Sequence, residues 1–282
     1  MSYSLNALYD QAGISKQAVA QYDQRQQLFD SLMLQLLLEA DDLRQEHPGC
    51  GVEKMYGSLN PDFIGRDRFI ETMMSLGYRL KRNKNYKRTT IAGVKFYPNL
   101  IKGLEVKGPS QVWQSDITYI PIGDRHCYAT FIIDVYTKKI VGYHVTDHMR
   151  ATANVQALRM ALKTNAAPTI HHSDRGSQYT YKEYVELLRS QGSQISMALS
   201  AQDNAYAERI NKTMKEEYLN HWKPQSLAEL KKMLSKAVYH YNHKRHHRSL
   251  GKISPINFEK SLSFIEPDKR KILTIFNNEI LI

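Results

Sequence analysis

Between Phe29 and Gln45 apolar residues return at three- and four-residue steps. Phe29, Leu32, Met33, Leu36, Leu37, Ala40 and Leu43 share one face, which predicts an amphipathic helix. That face suits packing inside a small helical module or against a second subunit. Upstream, Ser4 to Gln11 reads as a short helix, Ala12-Gly13-Ile14 as a turn, and Ser15 as the N-cap of a second helix. The outline fits a helix-turn-helix over residues 1–27, with Lys16, Gln17 and Gln21 able to face a groove, and equally a plain helical hairpin. A further helix, Asp67 to Gly77, ends in glycine. From Gln111 the period changes from helical to two. Strands are expected over Val112–Ile122, Cys127–Tyr136 and Lys139–Thr146, joined by hairpin turns at Gly123-Asp-Arg and Thr137-Lys-Lys. A helix Thr152–Thr164, a short strand from Pro168 to His172, a helix Tyr181–Gln191 and a short strand Ser193–Met197 follow. Two helices come next, one around Glu208 and a long one from Ser226 to His247. Strands alternating with helices in this way make the class α/β.

Charge narrows the partner. The chain of 282 residues has a formal net charge of +11 and a pI near 9.4, which favours a polyanion such as nucleic acid. The stretch Arg79 to Lys107 concentrates that excess: Lys81, Arg82, Lys84, Lys87 and Arg88 interleave with Tyr86, Phe96 and Tyr97 against one acid, Glu105. It reads as a solvated basic linker or as a phosphate-tracking one. The two cysteines, Cys50 and Cys127, exclude a disulfide scaffold and a Cys-rich zinc site. No apolar run approaches membrane-spanning length and no leader is evident, so a soluble cytoplasmic protein without membrane contact is expected.

Three carboxylates carry the candidate chemistry. Asp116 lies in the first strand, Asp174 follows the short strand just before a glycine-containing loop, and Glu208 lies on a helix. At about 100° per residue, Glu208, Lys212 and Lys215 fall within roughly a 60° arc, while Ala207, Ile210, Met214 and Tyr218 form a separate apolar stripe. Three oxygen ligands converging from two strand ends and a helix suit a pair of Mg²⁺ ions, or Mn²⁺ in their place, about 4 Å apart. The two lysines would hold a phosphate backbone beside them. Each acid has a plainer reading: an i,i+4 ion pair for Glu208 with Lys212, a cap for Asp174, an exposed strand position for Asp116. Asp134 interrupts an apolar strand and reads as structural. His171 and His172 suit softer metals than Mg²⁺ and read as packing or DNA-orienting groups, and Arg175 and Gln178 as substrate contacts.

Four stretches carry a family resemblance: W-Q-S-D-I-T-Y-I, H-S-D-R-G-S-Q-Y, D-N-A-Y-A-E-R-I-N-K-T-M-K-E-E-Y-L and Y-N-H-K-R-H-H-R-S-L-G-K-I-S-P-I-N-F. In this order they resemble the DDE transposases of bacterial insertion-sequence family three, OrfB type, relatives of retroviral integrases, from about Leu38 to Lys260. The resemblance puts the catalytic, metal-binding triad on Asp116, Asp174 and Glu208. It also implies DNA contacts from Asn211, Lys212, Lys215, Asn242, Arg245 and His246. One departure stands out: the 33 positions between Asp174 and Glu208 are slightly fewer than the family's usual interval, and the shortening falls before the helix.

The implied architecture is a ribonuclease-H-like core, a mixed five-stranded sheet with flanking helices whose first and fourth strands are neighbours. The expected division is 1–27 helix-turn-helix, 28–85 second helical DNA-binding module, 86–110 basic linker, 111–260 catalytic core and 261–282 tail. Tail residues Ile272, Leu273, Ile275, Phe276 and Ile280 fit either a strand or a subunit contact. The expected activity is binding of terminal inverted repeats, cleavage of the ends and transfer of 3′-hydroxyls into double-stranded DNA, by a copy-out route. At least a dimer on paired ends is implied, alone or with an OrfA-type partner or fusion. The competing functions are a nuclease or resolvase without strand transfer and a non-catalytic DNA-binding regulator.

Overall fold

A computed structural model of the chain describes residues 4–80, 96–123 and 125–275. It divides into two compact units, residues 1–46 with 50–80 and residues 47–49 with 81–282. The first unit is helical: α1 (Leu5–Ala12), α2 (Lys16–Glu46), α3 (Val52–Leu59) and α4 (Arg66–Ser75). Its core gathers Met33, Leu36 and Ala40 of α2, Met55 of α3, and Phe69 and Met73 of α4. These α2 residues belong to the stripe that the periodicity predicts.

The start of the chain differs from expectation. Ser15 Oγ accepts from Ala18 N–H at 3.1 Å, as an N-cap does. The helix it opens, however, does not stop near residue 27 but runs unbroken to Glu46. No glycine or proline interrupts Lys16 to Glu46, and the polar Gln-rich stretch between the two expected helices is itself helix-compatible. One long helix therefore replaces the second half of a helix-turn-helix and the helix that follows it.

The second unit is built on a five-stranded sheet in the order β4-β3-β2-β5-β6. Its strands are β2 (Val112–Ile122), β3 (Arg125–Asp134), β4 (Ile140–Thr146), β5 (Ile170–Ser173) and β6 (Gln194–Met197). The first three pair antiparallel, whereas β5 lies parallel to both β2 and β6. Parallel pairing needs a crossover, supplied by α5 (Ala151–Thr164) before β5 and α6 (Lys182–Ser190) before β6. The period-two alternation sorts side chains between two layers. Phe131 and Ile133 join Ala207, Ile210, Met214, Tyr218, Leu234 and Tyr241 under α7 (Ala205–Met214) and α9 (Leu227–His243). Ile132 and Trp113 join Leu158, Ala161, Tyr184 and Leu188 on the opposite face. There Gly142 lets α5 approach β4 closely, since a Cβ would stand 2.3 Å from the Ala157 carbonyl oxygen. This mixed sheet with helices on both faces is ribonuclease-H-like, as expected.

Asp134 ends β3 rather than interrupting it, two residues earlier than expected. Its Oδ1 accepts from the Thr137 N–H and hydroxyl at 2.7 and 2.9 Å, and its Oδ2 from Ser110 N–H at 2.6 Å. Two donors on one oxygen turn the chain, and the carboxylate is structural. The long final helix stops at His243, before the basic run it was expected to include. After α10 (Pro255–Ser261) the tail forms β7 (Leu273–Thr274), antiparallel to β1 (Glu105–Val106), with Ile275 buried behind it. Leu273 thus lies in a strand, while Phe276 and Ile280 lie outside the described residues. Among the described residues no helix is long and apolar enough to cross a membrane.

Candidate active site

Strand register brings the first two acids together. Ser115 of β2 pairs with Ser173 of the parallel strand β5, and Asp116 and Asp174 are the next positions along each chain. Neighbouring strands lie about 4.8 Å apart, so these carboxylates project from adjoining points at the same end of the sheet. Asp116 Oδ1 accepts from its neighbour's N–H, Ile117, at 2.9 Å, and Asp174 Oδ1 from Gly176 N–H at 3.0 Å.

The third acid arrives on a helix tied to the same strand. Asn211 of α7 donates from Nδ2 to Asp116 Oδ2 at 2.7 Å. Glu208 lies three residues earlier, hence on the same helical face as Asn211, in the first turn of α7 with its side chain exposed.

Electrostatics report one shared site. Burial pushes the Asp116 carboxyl up to about 8, and the neighbouring charges of Asp174 and Glu208 add to the rise against hydrogen bonds from Ile117 and Asn211. Burial also raises Asp174. Glu208 is raised by burial and then by the charge of Asp174. Lys215 is half-buried; burial lowers its ammonium group, and attraction to Asp116 and Glu216 opposes the fall. The buried Tyr179 hydroxyl, bonded to Ser115 Oγ at 3.0 Å, is pushed up by burial and then by Asp174. Among the described residues, no group of three or more His, Cys, Asp or Glu side chains is already gathered to hold a metal ion.

Several residues expected to meet DNA are engaged inside the protein instead. Asn211 is buried on Asp116, as above. Asn242 is buried, its amide giving to the Ile140 carbonyl and accepting from Ile140 N–H, both at 2.9 Å. Arg245 is buried in a two-pronged pair with Glu217, at 2.7 and 2.8 Å. Asn211 Nδ2, both amide atoms of Asn242 and the Arg245 Nε and Nη2 are thus engaged by protein groups, while Asn211 Oδ1 is left buried without a partner among the described residues. His246 is half-buried, and burial lowers its imidazole.

The other candidates keep an outward aspect. Lys212 is exposed, 3.9 Å from Glu216. Arg175 donates from Nε to the Ala198 carbonyl at 3.0 Å, with its guanidinium over the Phe96 ring. Gln178 donates to the Met149 carbonyl at 3.3 Å. Lys16 and Gln17 are exposed in the first turn of α2. Lys81, Arg82, Lys84, Lys87 and Arg88 lie outside the described residues.

The two histidines beside Asp174 are packing groups. His171 Nε2 bonds Tyr184 Oη at 2.9 Å and His172 Nδ1 bonds Ser196 Oγ at 2.8 Å. Burial lowers both, to about 3 and about 4, so they are neutral at physiological pH.

Gln114, Ser115, Asn204 and Tyr179 are buried polar groups around the acids that were not among the expected site residues. One signal was present. Gln114, Asp116 and Thr118 occupy every second place of a strand, where an inward face is normally apolar.

Two family models, both described as an integrase core domain, match residues 106–201 and 193–255. The chain is 34% identical to the 31 kDa protein of insertion element IS600 from Shigella sonnei, covering 71% of this chain and 77% of that one. It is 34% identical to the transposase of element IS904 from Lactococcus lactis, with coverage of 71% and 81%. With the transposase of element IS629 from Shigella sonnei it shares 35% identity, covering 77% and 76%. Two adjoining strand acids, an acid-bearing helix bonded through Asn211 to the first of them, and these relatives lead to one conclusion: the chain belongs to the insertion-sequence transposases of the integrase superfamily, DDE enzymes that act as polynucleotidyl transferases.

Proposed function

We propose that this transposase recognises the terminal inverted repeats of its element, cleaves at the ends and joins the freed 3′-hydroxyls to double-stranded DNA at the site formed by Asp116, Asp174 and Glu208. The observation that carries this reading is unbalanced negative charge. Three carboxyls with raised proton affinity lie at one end of the sheet, Asp116 feeling the charges of Asp174 and Glu208, and Lys215, which is attracted to Asp116, is itself partly desolvated. Such a site favours protons or cations over further anions.

The residues fit a hard divalent cation. The donors are carboxylate oxygens, and Asn211 Oδ1, beside Asp116, is buried with no partner among the described residues. Asp116 and Asp174 would hold Mg²⁺, or Mn²⁺ in its place, with Glu208 completing the set for a pair. When bound, divalent ions there would stabilise charge on a phosphate and lower the pKa of an attacking water.

The chain's own groups supply the rest. Asp116, anchored by Ile117 N–H and Asn211, sets the orientation of the site. Lys215 and Lys212 offer ammonium groups to a phosphodiester laid along α7. In cleavage, water attacks phosphorus, the P–O3′ bond breaks and the element keeps a 3′-hydroxyl. In joining, that hydroxyl loses its proton, attacks a target phosphorus and displaces the target's 3′-oxygen. Each step makes one P–O bond and breaks one, and the proton lost by the attacking water or hydroxyl balances the one gained by the departing 3′-oxygen; only joining exchanges one phosphodiester for another. Holding two ends requires at least two copies of the chain, alone or with an OrfA-type partner.

The test uses labelled end DNA with and without Mg²⁺. Wild type should join it to target DNA, and Glu208→Gln should not, while both bind the ends equally. Hydrolysis without joining by wild type would favour the nuclease reading, and equal activity of the two proteins would refute the site.

A further inference from the structure

The geometry points to Gln114 as a positioning residue that sets the start of α7, and with it Glu208, against strand β2. This rests on the reading of Glu208 as the third acid of the site. Gln114 is fully buried in β2, two residues before Asp116. Its Oε1 accepts from Tyr206 N–H at 3.0 Å and from Ala207 N–H at 3.4 Å. Its Nε2 donates to the Asp203 carbonyl at 3.3 Å. One carboxamide therefore serves both sides of the helix start: it satisfies two of the N–H groups that a first turn leaves without intrahelical acceptors, and it fixes the loop entering that turn.

Neighbouring bonds extend the clamp in register. Asn204 Nδ2 donates to the Ser115 carbonyl at 3.0 Å, and Asn211 Nδ2 to Asp116 Oδ2 at 2.7 Å. Residues 114, 115 and 116 of one strand thus hold residues 203 to 211, and Glu208 sits inside the held segment. Methionine matches glutamine in length but can neither accept from two N–H groups nor donate to a carbonyl. Glutamate keeps the two acceptor bonds, favoured by the positive end of the helix, and loses only the donor.

The experiment compares Gln114→Met and Gln114→Glu with wild type. Hydrogen exchange of the metal-free proteins is read over residues 203–211, with the β3 and α9 amides as internal controls. Strand joining is then titrated with Mg²⁺. Gln114→Met should speed exchange at the start of α7 about tenfold, leave the controls unchanged, raise the Mg²⁺ midpoint and lower joining by about 10- to 100-fold. Gln114→Glu should keep exchange at the start of α7 near wild type, and it carries the test if the methionine variant does not fold. Exchange and Mg²⁺ midpoint both unchanged in Gln114→Met, or exchange accelerated as much in Gln114→Glu, would overturn the assignment. Failure of wild type itself to join DNA would count against the proposed function and not against the clamp, whose exchange readout needs no metal.

Discussion

The surroundings of Glu217 and of Asp116, both in the second unit, treat a carboxylate's charge in opposite ways. Glu217 meets the Arg245 guanidinium through both of its oxygens and His47 Nε2 at 2.7 Å. Burial acts to lower the Arg245 guanidinium, yet the hydrogen bonds and charge of Glu217 outweigh it and the net shift is upward. At the other place, Asp116 shares its surroundings with two further acids and is held by neutral donors, Asn211 and a backbone N–H. The first cluster is closed and balanced; the second is open and in deficit. The difference separates a carboxylate neutralised within the fold from a group of acids in which Asp116 has no basic partner at hydrogen-bond distance among the described residues. Arg245 is engaged by Glu217, whereas the acidic edge of the sheet is where the proposed chemistry would take place.

The sharpest way to break this contrast is to neutralise the open site. Asp116→Asn or Asp174→Asn should lower strand joining by about a thousandfold or more, since on the proposed assignment each would remove a metal ligand worth several kcal/mol of transition-state stabilisation. End binding in a mobility-shift assay should stay close to wild type. A variant that joins ends at the normal rate would show that the deficit has no chemical role.

In the closed cluster the effect should fall on stability instead. Glu217→Gln leaves Arg245 buried without its counter-charge and should cost about 3–5 kcal/mol in urea unfolding. Replacing both partners with apolar residues of similar size should recover much of that loss, which no double substitution at the acidic edge would do for activity.

A pH series sharpens the comparison further. Asp116 has its carboxyl raised from 3.8 to about 8 in the folded chain, so the protonated form favours the fold. That contribution is full below the unfolded value and is lost as pH rises through the folded one. The buried His171 and His172, lowered to about 3 and about 4, act in the opposite sense below their unfolded value, so the quantity to read is the difference between wild type and Asp116→Asn. Relative to that variant, metal-free wild type should lose melting temperature as pH climbs from about 4 to about 8, and Mg²⁺ should offset the loss at the upper end. A difference that rises over this range would contradict a deficit at Asp116.

The smallest effect is expected at the margin of the site. Lys215→Ala should slow joining of pre-cut ends by about fivefold through weaker phosphate positioning. Unchanged turnover would make Lys215 only a partner of Glu216.

Much of the fold was legible because its signals are local. The change from a helical to a two-residue period near Gln111 places the sheet, and the Ala207, Ile210, Met214 and Tyr218 stripe is buried as the spacing requires. Boundaries set by side-chain hydrogen bonds were not legible. Asp134 turns β3 early by gathering three donors, one of them Ser110 from another part of the chain. The continuous α2 reflects a different shortfall: an expected break had no helix-breaking residue behind it.

For this protein the sequence alone determined which residues carry ionisable chemistry, in what order, and on which kind of element. Periodicity and residue type are properties of short segments, and the acids at 116, 174 and 208 can be read from them. Only the tertiary structure decided which charges are already matched. Asn242 and Arg245 look like Asn and Arg in any basic run until Ile140 and Glu217, far away in sequence, are seen to occupy them. Burial and partnership are long-range facts, and they set whether a polar group is available to DNA or used up in holding the protein together.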